Sequence, residues 1–199
     1  MSTENVELMR MARESLKGKW GLAIGTFVVC MIIVGAIQLI PMGGGLLAIF
    51  ITGQFTLGLT IFALSISRNQ EAKLEQIFLG FNRYGTALGA YLLMALFTFL
   101  WTLLLIIPGI IAALSYSLTY FILADDETIG ANDAIDKSKK MMDGYKWKLF
   151  CLGLRFFLLG LLCILTLGIG FFWLFPYIQV TYAKFYDDVK TNYIESQQV

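Results

Sequence analysis

The sequence contains no histidine at all. Histidine is the commonest general acid–base residue and a frequent zinc ligand, so its absence removes the Ser-His and Cys-His catalytic arrangements and the usual zinc sites. Three cysteines are present, each in an apolar run. Cys151 and Cys163 share one predicted helix about 18 Å apart, too far for a disulfide between them. We therefore expect no enzyme activity, no catalytic residues, no metal ligands and no cofactor.

Charged residues are also scarce. They make up 15% of the chain, against roughly 25% in a typical soluble domain. Hydrophobic residues make up 58%, and the mean hydropathy is +0.73. The charges fall into four clusters separated by long uncharged stretches, which is the pattern of membrane spans joined by polar segments. A formal net charge of +1 gives no electrostatic case for nucleic acid, so none is expected as a partner.

Six apolar segments are evident, and a helix needs about 20 residues to cross a hydrocarbon core of about 30 Å. Four segments meet or nearly meet that length. Short, uncharged breaks rich in glycine and proline separate the members of each pair, so we predict three transmembrane hairpins. At Pro108-Gly109 the alternative is one kinked helix of about 58 Å, nearly twice the core thickness. The segments are 20–40, 46–67, 86–107, 110–124, 149–167 and 169–186.

The basic residues predict the orientation. With Arg155 set aside, every lysine and arginine lies on the side of the membrane that holds the chain termini. The positive-inside rule then makes that side cytoplasmic, and we predict a multi-pass protein of the bacterial cytoplasmic membrane with both termini inside. These residues are Arg10, Arg13, Lys17, Lys19, Arg68, Lys73, Arg83, Lys137, Lys139, Lys140, Lys146, Lys148, Lys184 and Lys190.

An internal repeat is suggested by a basic-aromatic doublet before each hairpin. Trp20, Tyr84 and Trp147 close these doublets, 64 and 63 residues apart. A short amphipathic stretch precedes each one. It is interpreted as a helix in the headgroup layer, with the aromatic residue as an interfacial anchor; the alternative is a connector packed on the base of the bundle.

The predicted fold is therefore an all-α membrane protein. It has six transmembrane helices arranged as three parallel hairpin repeats, each preceded by a cytoplasmic amphipathic helix. The chain forms one integral membrane domain over 1–199, with repeat units at approximately 5–68, 69–126 and 127–190.

A few polar side chains fall inside the predicted spans. Arg155 is the one charge well within an apolar run; it either snorkels, pairs with Asp125 or Asp187, or marks a ligand site. Hydroxyl and amide side chains in spans usually bond to their own helix or join helices, and the sharper alternative is a polar-lined cavity. The candidate intramembrane site comprises Arg155, Ser115, Tyr116, Thr119, Tyr120, Gln179 and Tyr182.

Four stretches carry a family resemblance. They are LKGKW at 16–20, LSYSLTYFILAD at 114–125, MMDGYKWKLF at 141–150 and TLGIGFFWLFPYIQVTYAKFYD at 166–187. The chain resembles domain-of-unknown-function family nine-seven-five, an uncharacterised family of bacterial, mainly Gram-positive, membrane proteins. The resemblance implies a cytoplasmic-membrane location and no particular activity. The family pattern has a small polar residue where this chain has Arg155, so the resemblance assigns that arginine no role.

Three function classes follow from these observations. The first is a non-enzymatic membrane protein that binds lipid or amphipathic molecules, or serves as an accessory or scaffold subunit. The second is a small transporter or channel with a polar-lined cavity between the hairpins. The third and least favoured is a lipid-modifying enzyme. The expected partners are membrane lipids, together with another membrane protein or a second copy of the chain.

Overall fold

The chain is all-helical over the residues that the structure, a computed structural model, describes: 3–41 and 44–197. Within these ranges it forms nine α-helices and one 3₁₀ helix, and no strand. The helices are α1 (Asn5–Leu16), α2 (Trp20–Gln38), α3 (Gly44–Ser67), the 3₁₀ helix (Leu74–Arg83), α4 (Tyr84–Leu104), α5 (Ile106–Tyr116), α6 (Thr119–Asp125), α7 (Ala131–Met141), α8 (Lys146–Leu165) and α9 (Phe171–Gln197).

Five helical stretches are long and apolar enough to cross a membrane. They cover the first five predicted spans, and they indicate a multi-pass membrane protein. The sixth predicted span, 169–186, lies mostly within α9, which continues past it to Gln197 and carries Pro176 inside the helix. Because α9 contains several polar residues, it is not among the five stretches. The five stretches are Trp20–Gln38, Leu47–Ser67, Leu74–Leu103, Ile106–Asp125 and Lys146–Leu165.

The helices fold back in pairs, as the contacts between them show. In the second pair, α4 and α5, the Phe97 and Tyr116 rings lie 6.2 Å apart. In the third pair, α8 and α9, the Phe156 and Tyr177 rings lie 5.7 Å apart. In the first pair, α2 and α3, Val34 and Ile51 belong to one apolar cluster. Each pair is therefore an antiparallel hairpin.

The reversal in the second hairpin is not at Pro108-Gly109, so that prediction was wrong in detail. The break is Leu105, whose extended backbone ends α4 and precedes α5. Pro108 stands in the first turn of α5, where the missing backbone N–H is not needed for a helical hydrogen bond. At Gly109 a Cβ atom would lie 2.3 Å from Oγ1 of Thr102, so the glycine allows the two helices to meet closely.

The three short helices before the hairpins pack on the bundle itself. Leu8 and Leu16 of α1 are fully buried, and α1 lies against α9 and α3. Ile135 of α7 is likewise buried, with α4 and α6 as neighbours. The apolar faces of α1 and α7 therefore contact protein. This agrees with the alternative interpretation, in which these stretches are connectors packed on the base of the bundle.

The predicted amphipathic stretch at 74–81 forms the 3₁₀ helix and lies directly on α3. A Cβ atom added to Gly58 would stand 2.0 Å from the Ile77 carbonyl oxygen, and one added to Gly80 would stand 2.0 Å from the Gln54 carbonyl oxygen. Two glycines therefore bring these backbones into contact.

Large apolar side chains cover much of the surface of α2, α4 and α8. Ile32 is 64% exposed, Leu103 73% and Phe157 62%. Such a surface is unfavourable in water and suits a hydrocarbon environment. The division into three repeat units at 5–68, 69–126 and 127–190 stays a prediction.

Candidate functional site

Arg68, just beyond α3, joins two carboxylates at one end of the bundle, which we call the polar end. Its Nη1 lies 2.6 Å from Oδ1 of Asp125, and its Nη2 lies 2.7 Å from Oδ1 of Asp187. Tyr186 and Lys190 also donate hydrogen bonds to Asp125. Burial disfavours the charged guanidinium, but the two carboxylates outweigh it and raise the pKa of Arg68. The result is a partly buried charge network.

This network corrects one prediction and supplies a residue that the sequence analysis missed. Asp125 and Asp187, expected as partners for Arg155, pair instead with Arg68. The signal for Arg68 was present in the topology: it follows the second predicted span, while the aspartates stand at the ends of the fourth and sixth. The predicted topology therefore places Arg68 and the two aspartates, which have opposite charges, at the same membrane side.

A second ion pair ties α8 to α9 at the polar end. Lys148 Nζ lies 2.7 Å from Oδ2 of Asp188, and both side chains are largely buried. Thr3 donates two hydrogen bonds to Oδ1 of the same carboxylate, from its backbone N–H and its hydroxyl. Burial alone would raise the pKa of Asp188, but the hydrogen bonds from Lys148 and Thr3 outweigh it, and the pKa is lowered.

Arg83, the basic member of the second doublet, closes the end of α6. Its guanidinium donates to the carbonyl oxygens of Leu123, Asp126 and Ile129 at 2.7, 3.0 and 2.6 Å. Carbonyls at a helix C-terminus have no partner within the helix, and a basic side chain satisfies them. Arg83 is therefore a structural residue at the polar end.

The predicted hydroxyl residues bond to backbone carbonyls of their own or a neighbouring helix. Ser115 donates to the Ile111 carbonyl at 2.8 Å, and Thr119 donates to the Tyr116 carbonyl at 2.8 Å. Tyr120 is buried and donates to the Ala87 carbonyl of α4 at 3.4 Å. These contacts are the structural role usual for hydroxyls in spans.

The break between α5 and α6 is filled by a residue that the sequence analysis did not single out. Ser138 of α7 donates to the Ser115 carbonyl at 2.7 Å and accepts from the Leu118 N–H at 3.2 Å. It thereby satisfies two backbone groups that the interrupted helix leaves free. A serine on the less polar face of a short helix is its only sequence signal.

The predicted site residues line separate cavities. Tyr182 lines one of about 500 Å³ between α5 and α8. Ser115 and Tyr116 line another of about 410 Å³, together with Lys139. Gln179 is half-buried on α9. The structure therefore does not bring these polar residues together around one central cavity.

Arg155 lines a third cavity, of about 570 Å³, between α1 and α8. Arg10 and Arg13 of α1 line the same space, as does Tyr177 of α9, whose ring lies 5.8 Å from the Arg13 guanidinium carbon. The remaining lining is apolar: Val6, Met9, Leu158, Leu159 and Leu162. Three arginines thus line one space together with apolar side chains.

No three acidic or cysteine side chains in the described residues are grouped so as to hold a metal ion. Asp125 and Asp187 are engaged by Arg68, and Asp188 by Lys148.

Comparison with known families identifies the chain. A family model described as "Protein of unknown function (DUF975)" matches residues 1–111 and 102–193. The chain belongs to the DUF975 family. This match confirms the family resemblance seen in the sequence. No curated protein and no solved structure matches the chain.

The predicted interfacial anchors of this DUF975 protein differ in exposure. Trp147 is 74% exposed and stacks on Phe150 with ring centroids 5.4 Å apart. Tyr84 is exposed, whereas Trp20 is half-buried and lines a cavity of about 350 Å³ against α8 and α9. Their role at a membrane interface stays a prediction.

Proposed function

We propose that this DUF975 protein is a non-enzymatic protein of the bacterial cytoplasmic membrane that binds lipids or other amphipathic molecules in grooves on its bilayer-facing surface. α9 supplies the sixth span. The termini and the short polar helices lie on the cytoplasmic side, in keeping with the basic residues around them.

The observation that carries this proposal is the cavity between α5 and α8. Its lining is almost entirely apolar, and Ile110, Leu154 and Phe157 in that lining are also exposed on the outer surface of the bundle. The space therefore opens sideways, toward the region that hydrocarbon would occupy. A site of about 500 Å³ with this lining suits an acyl chain or a similar apolar segment.

The polar side chains of the spans support binding over transport. A solute path needs polar groups that face a shared space. In the described part of the chain, hydroxyls repeatedly turn back to carbonyls three or four residues earlier in their own helix. Such bonds are made by Thr52, Thr56, Thr60, Ser65, Thr102, Ser115 and Thr181.

Filling the α5–α8 cavity tests the proposal. Ala113 lines it and is exposed, so Ala113→Trp should occupy the space without disturbing the core. Native mass spectrometry of the full chain, released from nanodiscs of bacterial lipid, should show bound phospholipid, with at least one molecule fewer on the variant. Ala36→Trp, on the exposed surface of α2, is the matched control and should keep the full complement.

Three results would contradict lipid binding. One is a spectrum without retained lipid in any variant. Another is solute uptake by proteoliposomes that contain the protein, which would favour the transporter alternative. The third is retention of a second protein, or a second copy of the chain, in place of lipid, which would favour the scaffold role.

A further inference from the structure

The cavity that holds Arg10, Arg13 and Arg155 continues into an apolar groove. A neighbouring cavity of about 350 Å³ shares Arg13, Leu159, Leu162 and Tyr177 with it. This second space runs on to Thr166 at the end of α8. From Arg155 to Thr166 is about 16 Å along a helix, close to half of a hydrocarbon core of about 30 Å. We call the two spaces together the arginine groove.

The charges of the arginine groove are unbalanced. Arg10 is paired with Glu7 at 2.6 Å and with Glu14 at 3.7 Å, and all three side chains are exposed. Neither Arg13 nor Arg155 has an ion-pair partner among residues 3–41 and 44–197. Two arginines that line one cavity without an acidic partner give it a positive charge, and a bound anion would balance that charge. Guanidinium also matches phosphate geometry closely.

The rest of the groove suits hydrocarbon. Beyond the arginines its lining includes Leu159, Leu162 and Leu174. Trp20 and Trp173 line the same space; Trp20 begins α2 and Trp173 lies near the start of α9. The groove therefore has the features that a phospholipid needs: a basic end, an apolar length of about half a bilayer and aromatic residues at the margins.

We propose that the arginine groove binds an anionic phospholipid, with its phosphate on Arg13 and Arg155 and an acyl chain along α8 toward Thr166. This inference rests on the proposed function and specifies the ligand class for one of its grooves. A free phosphate would satisfy the arginines equally well, so the apolar length is what commits the site to a lipid.

Tryptophan quenching tests the proposal. In a W101F/W147F background the remaining indoles, Trp20 and Trp173, both line the groove. The full chain is reconstituted in phosphatidylcholine nanodiscs, and brominated phosphatidylglycerol or brominated phosphatidylcholine is titrated in. We expect a saturable component with about tenfold preference for the anionic lipid, as for a charge-assisted contact to phosphate. Arg155→Gln should reduce the preference to near unity, while Arg155→Lys should retain much of it.

Two controls sharpen the result. Lys140→Gln makes the same change in charge at an exposed position of α7 and should leave the preference unchanged. Arg13→Gln tests the second proposed phosphate ligand and gives an independent reading should the Arg155 variants fold poorly. Glycerol 3-phosphate at millimolar concentration should not displace the lipid, because it lacks the acyl chains.

The outcomes separate this inference from the proposed function. Equal saturable quenching by both lipids, unaffected by Arg155→Gln and Arg13→Gln, would leave lipid binding standing and overturn the anionic site. Full displacement by glycerol 3-phosphate would overturn the lipid as the ligand. Absence of any saturable component would overturn the inference and count against lipid binding at this groove.

Discussion

The Arg68 guanidinium lies 2.6 Å from the Asp125 carboxylate and connects the end of α3 to the end of α6. Since Arg68 also pairs with Asp187 of α9, one side chain links α3, α6 and α9 at the polar end. Arg68 thus binds Asp125, which is 57 positions away in the sequence, and Asp187, which is 119 positions away. This network lies at the polar end and does not include Arg155, the charge within a predicted span.

Replacing Arg68 by glutamine should destabilise the protein by about 2–3 kcal/mol, because the partly buried Asp187 loses its ion-pair partner and Asp125 keeps only Lys190. The thermal unfolding midpoint of the purified chain in detergent would measure the loss. Lys73→Gln is the matched control: its pair with Glu71 is exposed, so the change should be within about 0.5 kcal/mol. Equal effects from both substitutions would contradict a linking role for Arg68.

Replacing Gly58 by alanine should be more damaging than its size suggests. The new Cβ would stand 2.0 Å from the Ile77 carbonyl oxygen, so the 3₁₀ helix must move away from α3. We expect a loss of at least about 3 kcal/mol, or failure to fold, by the same thermal measurement. At Gly25 of α2 nothing lies within 4 Å of an added Cβ, and Gly25→Ala should be neutral or slightly stabilising. A neutral Gly58→Ala would show that the backbones are not in contact.

Acid should weaken the attachment of α9 to α8. The pKa of Asp188 is lowered from its ordinary value of 3.8, so the folded state binds fewer protons than the unfolded state just below pH 4. The stabilisation is therefore fully present above about pH 4 and is lost as the pH falls toward the lowered pKa. Unfolding midpoints between pH 7 and pH 3 would show this decline.

The variant Asp188→Asn should lack that part of the acid dependence and should be less stable at neutral pH. Asp143→Asn is the control, since Asp143 is exposed and makes no ion pair within the described residues. It should follow the unmodified protein across the whole pH range. An unchanged acid profile in Asp188→Asn would remove Asp188 as the source.

The proposed orientation is tested by single cysteines in a cysteine-free background. Gln70 lies at the polar end and Ile106 at the opposite reversal, and both are exposed. A membrane-impermeant maleimide applied to intact cells should label Ile106→Cys and should reach Gln70→Cys only after permeabilisation. Labelling of Gln70→Cys alone in intact cells would invert the topology.

Much of the fold could be predicted because its signals are local. Apolar runs of about 20 residues identified five helical stretches that the structure contains, and the hairpin of α4 and α5 was expected from the length of the combined run. The errors were in how segments meet. Pro108 was assigned to the break, although proline is tolerated in a first helical turn, and Leu105 carries no residue-type signal for the reversal.

The candidate site was predicted less well. Arg155 was singled out as the one charge well within an apolar run, but its expected partners were wrong, because Asp125 and Asp187 pair with Arg68. The convergence of Arg155 with Arg10 and Arg13 could not be anticipated, since the packing of α1 against the bundle decides it.

By itself, the sequence determined an all-helical chain with long apolar segments, charges gathered at a few points and no histidine chemistry. These properties depend on composition and on periodicity within single segments. Only the tertiary structure decided that Arg68 links α3, α6 and α9, that Gly58 and Gly80 bring two backbones together, and that arginines of α1 and α8 share one groove. Such relationships depend on distances between side chains remote in sequence, and the packing of whole helices sets those distances.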